Sequence, residues 1–356
     1  HRETMDAGCR VAWDHCYSET DELSAIQHAY NMLIDYGYEA FQSECQCEPI
    51  RDEGAVLMPS SEFLKAKQSG YPRGTVPTDC TKLTAFIDQQ DNLLYWMVVA
   101  WSEGFTGYIV DYGSFPDQKR SYFTLETARR TLLWFFNKQL QQPMDQEGAL
   151  HNGISRLVST LATRTFPRAG GGGQTIDQLA IDTNNGKRTV LIKSVIEQSP
   201  HRASILASYG RGVKARHKQI SQWQNKPGRE KGPEWVIDRP EGQSIRQLIY
   251  DTWFWKKRAA DALALALGSK GSLAFFKEDP ERHRMVVDHI RSNKAFETKD
   301  EGSGQSVIEW ELRPGEEDHL WDCLIGCMVL ASICGIRRAE DKRPTRNKRR
   351  KKVKYL

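Results

Sequence analysis

No stretch of this 356-residue chain stays apolar over the roughly 18 residues that a membrane-spanning helix needs, and the start His1-Arg-Glu-Thr-Met5 lacks a signal-peptide core. These absences predict a cytoplasmic chain with no membrane partner. The lack of an initiator Met points to a piece of something longer. Eight cysteines are too few for a disulfide scaffold of this length, and their spacings match no common zinc pattern. Cys45-Gln-Cys47 and the pair Cys323 and Cys327 each lack a second well-spaced ligand pair, so all eight read as reduced thiols. No Gly-x-x-x-x-Gly-Lys-Ser/Thr occurs; Asn185-Gly-Lys-Arg188 imitates only part of one, ahead of an expected strand rather than a helix N-terminus. ATP hydrolysis is therefore not expected of this chain.

What is present begins with an uneven charge. The net charge is +4, yet eleven Lys or Arg and two acids lie from residue 337 onward, which leaves the preceding chain at −5. Asn347-Lys-Arg-Arg-Lys-Lys-Val-Lys354 is too charged to pack. The segment 337–356 reads as a disordered basic tail, suited to a phosphate backbone, to an acidic partner or to simple solubilisation.

The patterning divides the rest. Residues 23–36 carry Leu23, Ile26, Tyr30, Leu33 and Ile34 at helical spacing, with Thr20 or Asp21 as cap. Residues 51–77 hold Gly54, Pro59, Gly70, Pro72, Gly74 and Pro77, a linker composition with a short helix at 61–68. The expected order is a helical segment 1–50, a linker 51–77, a main domain 78–336 and the tail. Within the main domain, strands are expected at 83–87, 93–101 and 107–112, helices at 124–141 and 147–163, and strands at 175–181 and 189–196. A helix at 200–209, strands at 234–238 and 244–250, a helix at 252–267, a strand at 272–276 and a helix at 280–291 follow. Strands near residue 295 and at 306–312 and a closing helix at 318–335 complete an α/β reading, a mixed sheet with helices on both faces.

Three aspartates end apolar segments far apart in the chain: Asp88 in Thr84-Ala-Phe-Ile-Asp88-Gln-Gln, Asp182 in Gln178-Leu-Ala-Ile-Asp182-Thr-Asn, and Asp322 in His319-Leu-Trp-Asp322-Cys. Phosphodiester cleavage needs a nucleophilic water and stabilisation of charge on the leaving oxygen, which two Mg²⁺ or Mn²⁺ ions supply. Carboxylates are the ligands hard cations prefer. Singly, an Asp at a strand end before Gln or Thr is an ordinary turn former. Asp322 is more telling, because it lies in an apolar helix four residues from Asp318 and so on the same face. A metal shared with Asp88 and Asp182, or a salt bridge to an arginine, would satisfy it.

These residues carry a resemblance. Asp88-Gln-Gln-Asp91-Asn-Leu-Leu, followed by Trp101 and Asp111-Tyr-Gly113, is similar to the opening of the nuclease domain in large terminase subunits of tailed phages, specifically the lambda-type packaging enzymes. Ala180-Ile-Asp182-Thr-Asn resembles that family's second metal-binding strand, and Asp318-His-Leu-Trp-Asp322-Cys its final acidic helix. Met5-Asp6, Ala25-Ile-Gln-His28 and Ala40-Phe-Gln-Ser-Glu44 resemble the segment linking the packaging ATPase to the nuclease. Where the family often has Asp-Ser-Gly, this chain has Asp182-Thr-Asn-Asn-Gly186.

The resemblance implies an RNase H-like, metal-dependent endonuclease that cuts concatemeric double-stranded DNA at the start and end of packaging. It would work in the host cytoplasm at the procapsid, with the portal and small terminase subunit as partners. Asp88, Asp182 and Asp322 would be the ligands of two Mg²⁺ or Mn²⁺ ions, with Asp318, His319 and Asp91 as auxiliaries. Arg211, Lys214, Arg216, Lys218, Lys226, Arg229 and Lys231, in a long polar stretch with Trp223 and His217, are the candidate DNA contacts or else a solvated loop. The run Trp253-Phe-Trp-Lys-Lys257 reads as helix core with a charged rim. A junction resolvase or transposase-like nuclease, and a non-catalytic component docking on DNA or portal, are the rival readings.

Overall fold

The computed structural model describes residues 2–13, 15–41, 45–46, 56, 58–184, 186, 188–239, 245–338 and 341. The basic run from residue 342, Cys47, Asn185 and Lys187 lie outside the described residues. The chain divides into two compact units, His1–Gly54 and Ala55–Leu356. In the first, helices α1 (Arg2–Asp6) and α2 (Ala25–Ala40) are described. Ser24, rather than Thr20 or Asp21, caps α2, its hydroxyl accepting from the Gln27 amide at 3.2 Å. Glu22 ties this turn together by accepting from His28 Nδ1 (2.8 Å) and Asn31 (3.1 Å).

The second unit holds α3 (Ser61–Ala66) and strands β1 (Gln68–Pro72), β2 (Lys82–Gln89), β3 (Leu94–Ser102) and β4 (Thr106–Phe115). Helix α4 (Gln146–Thr163), the short pair β5 (Phe166–Pro167) and β6 (Gly173–Gln174), strand β7 (Gln178–Asp182), helix α5 (Thr189–Gln198) and strand β8 (Ile205–Arg211) follow. Next come β9 (Glu230–Gly232), β10 (Trp235–Asp238), β11 (Gln247–Asp251), α6 (Thr252–Ala264), β12 (Leu273–Lys277) and α7 (Arg284–Arg291). The hairpin β13 (Asn293–Lys299) and β14 (Ser306–Leu312) and helix α8 (His319–Ile333) close the unit.

Ten strands form one mixed sheet in the order β1-β12-β4-β3-β2-β7-β8-β11-β10-β9. Strands β2, β7, β8 and β11 run parallel, as do β1, β12 and β4, while β3 opposes its neighbours β2 and β4. One face packs Phe86, Ala180, Leu206 and Tyr250 against α6, α7 and α8. The other packs Leu83, Ala85, Ile87 and Ile181 against α4 and α5. Burial on both faces explains why β2 shows no alternation of apolar and polar residues. Helix α8 is buried nearly all round, which its almost unbroken apolar sequence requires. No helix among the described residues is long and apolar enough to cross a membrane.

Several elements differ from the sequence reading. Residues 189–198 form a helix rather than a strand: Ile192, Val195 and Ile196 are buried at helical spacing while Val190 is exposed. Residues 205–211 form a strand where a helix was expected. The parallel pairing of β7 with β8 needs a crossover, and α5 is that crossover. Of the expected helix at 124–141, only residues 132–139 are helical, with Trp134–Gln139 as a π turn. Upstream, the buried Gln118 side chain takes the amides of Arg129 (3.1 Å) and Arg130 (3.0 Å), which diverts them from helical bonding. Within the segment read as linker, the expected short helix is α3, but Gln68–Pro72 is a sheet strand rather than linker. The start of the expected tail is also fixed: Asp341 pairs with the Arg258 guanidinium at 2.9 and 3.0 Å, because a buried arginine needs a counter-charge.

Candidate active site

Asp88 and Asp182 become neighbours through strand register. Ile87 pairs with Ile181 in the parallel β2–β7 ladder, and each aspartate is the next residue along its strand. Both lie two residues beyond a side chain packed toward α8, Phe86 and Ala180, so by the period of two they face the same side.

Helix α8 brings the third carboxylate. It crosses β2 in the opposite sense, with Cys327 at Thr84 (its carbonyl accepts from the Thr84 hydroxyl at 3.0 Å) and His319 at Asp88 (2.9 Å). Gly326 permits this approach, since a Cβ there would collide with the Phe86 ring. Asp322 lies one turn before Gly326, and Asp88 two residues beyond Phe86. A helical turn of about 5.4 Å nearly matches two strand residues, about 6.6 Å, so the two acids advance together.

The surroundings treat the carboxylates differently. Asp88 Oδ2 accepts from Gln90 Nε2 and His319 Nδ1, both at 2.9 Å, and the His319 ring stacks on Tyr95 at 4.7 Å. Burial opposes charge on His319, but the bond to Asp88 outweighs it and the imidazole pKa is raised. Next to it, burial and then the neighbouring His319 push His289 down to about 3; its neutral Nδ1 accepts from the Leu320 amide at 3.2 Å.

Asp182 has no cation partner among the described residues; burial, then Asp88 and Asp322, push its carboxyl well above the usual range. Partial burial raises Asp322 to about 6, an effect that Lys256 offsets and Asp318 and Asp88 reinforce. The Lys256 ammonium, itself buried, sits 3.1 Å from Asp318, 3.2 Å from Asp322 and 2.8 Å from Asn293 Oδ1. Against the cost of burial, Lys256 and Asn293 hold Asp318 below the usual carboxylate range.

Of the expected site residues, Asp88, Asp182, Asp322, Asp318 and His319 are thus drawn into one electrostatic neighbourhood. Asp91 stands apart: it is exposed and pairs with Arg188 at 2.7 Å. Among the expected DNA contacts, Lys214, Arg216, Lys218 and Lys226 are exposed. Arg211 lies over the Trp223 ring. Arg229 is occupied with Asp238, and Lys231 donates to the carbonyls of Ser221 (3.0 Å) and Trp223 (2.6 Å), so these two brace the segment. Cys323 and Cys327 are free buried thiols, consistent with their reading as small core residues.

Lys256 was missed, being read as part of a charged rim. Its spacing with Ala260 and Leu263, i, i+4 and i+7 on the buried stripe of α6, is the signal that marks it as internal. Gln90, Tyr95 and Asn293 carry no such signal.

Hard oxygen donors and an uncompensated Asp182 fit a divalent cation such as Mg²⁺ or Mn²⁺. Among the described residues, no group of three or more His, Cys, Asp or Glu side chains is gathered tightly enough to hold one. The fit is therefore in donor chemistry and charge, with Lys256 supplying part of the positive charge.

A mixed sheet flanked by helices, with acids at the ends of adjacent strands and on a closing helix, matches the architecture of RNase H-like nucleases. The profile of the family described as terminase large subunit gpA, endonuclease domain, matches residues 38–343, and the chain belongs to this family of phage DNA-packaging nucleases. A search of the curated proteins gave no match. Among solved structures, the chain is similar to a lysine-to-alanine mutant of the nuclease domain of the large terminase subunit gp2 of bacterial virus Sf6, with manganese. The identity is 12%, covering 76% of this chain and 97% of that one, with a TM-score of 0.37.

Proposed function

We propose that this domain cleaves concatemeric double-stranded DNA during genome packaging by metal-dependent phosphodiester hydrolysis, with Asp88, Asp182 and Asp322 holding two Mg²⁺ or Mn²⁺ ions. The observation that carries this reading is the register of β2 with β7, which sets Asp88 beside Asp182 on the face covered by α8. Family membership supports a nuclease, and the carboxylate set supports the metal. When bound, the ions would lower the pKa of a water and neutralise charge on the leaving oxygen.

The chain's own residues do the rest. His319 and Gln90 fix the Asp88 carboxylate, so that one oxygen stays committed to them and the other is free to bind. Lys256 holds Asp318 and Asp322 in place and limits their mutual repulsion. Asp182, pressed by two neighbouring acids, is the carboxylate that gains most from an added cation. Lys214, Arg216, Lys218 and Lys226, with Arg211, would contact the phosphate backbone. The portal and small terminase subunit are the expected partners, at the procapsid in the host cytoplasm.

Plasmid cleavage with Mn²⁺ tests this. Wild type should convert supercoiled DNA to linear product, and Asp182→Asn should not. Equal activity in both overturns the site.

A further inference from the structure

The parallel strands place more than aspartates on the catalytic edge of the sheet. The C-terminal ends of β1, β12, β4, β2, β7 and β8 all lie on one rim, and one line of register crosses it: Ser114 of β4 pairs with Tyr95 of β3, which pairs with Asp88 of β2. Strands stand about 4.8 Å apart, so β4 ends about 10 Å to one side of Asp88 and β8, which leads into Arg211, about 10 Å to the other.

Immediately beyond β4 is a second cationic surface. Arg73, Lys119, Arg120 and Arg282 line it against two acids, Asp117 and Glu278. Its floor includes Phe123, whose ring stacks on Tyr95 at 6.0 Å, and Tyr95 in turn stacks on the His319 ring that holds Asp88. Its floor therefore lies on the same face as Asp88, two ring spacings from the His319 that holds this carboxylate.

The cations fall into two groups. Arg73 is committed to Asp111 (2.6 Å) and the Tyr112 carbonyl. Arg120 and Arg282 are exposed, and neither guanidinium has an ion-pair partner among the described residues. Lys119 pairs with Asp117 at the open surface, where such a pair is worth little.

The loop presenting them is fixed. The buried Gln118 amide donates to the carbonyls of Pro116 (3.0 Å) and Arg130 (2.7 Å), and Lys119 is held at a φ of 56° that non-glycine residues seldom adopt. Arg282 is set by its neighbour His283, buried between the Tyr112 hydroxyl (2.8 Å) and the Phe276 carbonyl (3.1 Å).

We propose that Lys119, Arg120 and Arg282 form a second phosphate-contact strip, gripping duplex DNA on the side of the aspartates opposite Arg211. The inference rests on the reading of this domain as a DNA nuclease. A duplex carries one charge per about 1.7 Å of axis, so a cutting site flanked on one side alone would leave the DNA free to pivot about the reacting phosphate. Two strips about 20 Å apart fix its direction across the rim.

The test is anisotropy of a labelled duplex of about 30 base pairs, with metal-free protein, across a salt series. The double variant Arg120→Ser/Arg282→Ser should bind on the order of tenfold more weakly near 0.1 M salt, with the slope of log K against log salt reduced by about two. Arg120→Lys/Arg282→Lys should keep most of the binding. Arg202→Ser, at the opposite end of β8, should be neutral. Thermal melting checks that each variant is folded; the substituted side chains are exposed. Wild-type affinity and slope in a folded double variant overturn the strip while leaving the nuclease reading intact. Failure of the wild type to bind duplex DNA at all overturns both.

Discussion

Lys256 lies 3.2 Å from Asp322 and, from within the core, neutralises an acid at the start of the closing helix. Its other partners, Asp318 and Asn293, make the ammonium a three-way brace. Lys256→Met should therefore destabilise the fold by about 3 kcal/mol, the low end for breaking a buried pair, because the Asp322 side chain retains 39% exposure. Urea denaturation reads this directly, and an unchanged midpoint would show that the brace contributes nothing.

Gly326 sets how closely α8 approaches β2. Gly326→Ala forces the new methyl into the Phe86 ring, at an expected cost of about 1–3 kcal/mol, and lifts Asp322 away from Asp88. Melting temperature and nuclease activity should both fall. Adding Phe86→Leu should restore part of each, whereas a stability loss with full activity would uncouple the helix position from the site.

His319 anchors Asp88. Replacing it by Ala leaves Gln90 as the remaining side-chain donor to that carboxylate, and the Mn²⁺ concentration for half-maximal cleavage should rise by roughly 10–100-fold. Melting should change less, because Tyr95 stays packed between Phe123 and His289.

Asp251 gives a pH dependence with a definite sign. It caps α6 through the amides of Trp253 (3.0 Å) and Phe254 (3.4 Å), and burial pushes its carboxyl up to about 7. The folded state thus holds this proton more tightly than the unfolded chain, so its contribution is present below about pH 4 and is lost as pH rises to about 7. The loss over that window should approach roughly 3–4 kcal/mol. Asp251→Asn keeps the cap and abolishes this component. Parallel stability-against-pH curves for wild type and variant would refute it.

Much of this was legible in the sequence. Asp88 and Asp182 stood out as acids at the ends of apolar runs, and Asp322 as an acid inside one. The paired hairpin strands and α8 followed from β-formers and apolar length. The β7–α5–β8 crossover was misread because Thr189-Val-Leu-Ile is rich in β-branched residues, while the four buried residues from Ile205 to Ser208 show no alternation. Tertiary context decided both, since a parallel pair requires a crossover. The Lys256 brace and the ring sequence Phe123–Tyr95–His319 join residues that only the folded sheet and helices bring together.

In the proposed site the three aspartates, rather than the surrounding histidines and thiols, hold the catalytic cations. Calorimetric titration of Mn²⁺ into wild type and Asp182→Asn at neutral pH tests it most directly. Wild type should bind saturably, and the folded variant at least about tenfold more weakly. Equal Mn²⁺ affinity in the two proteins would contradict it.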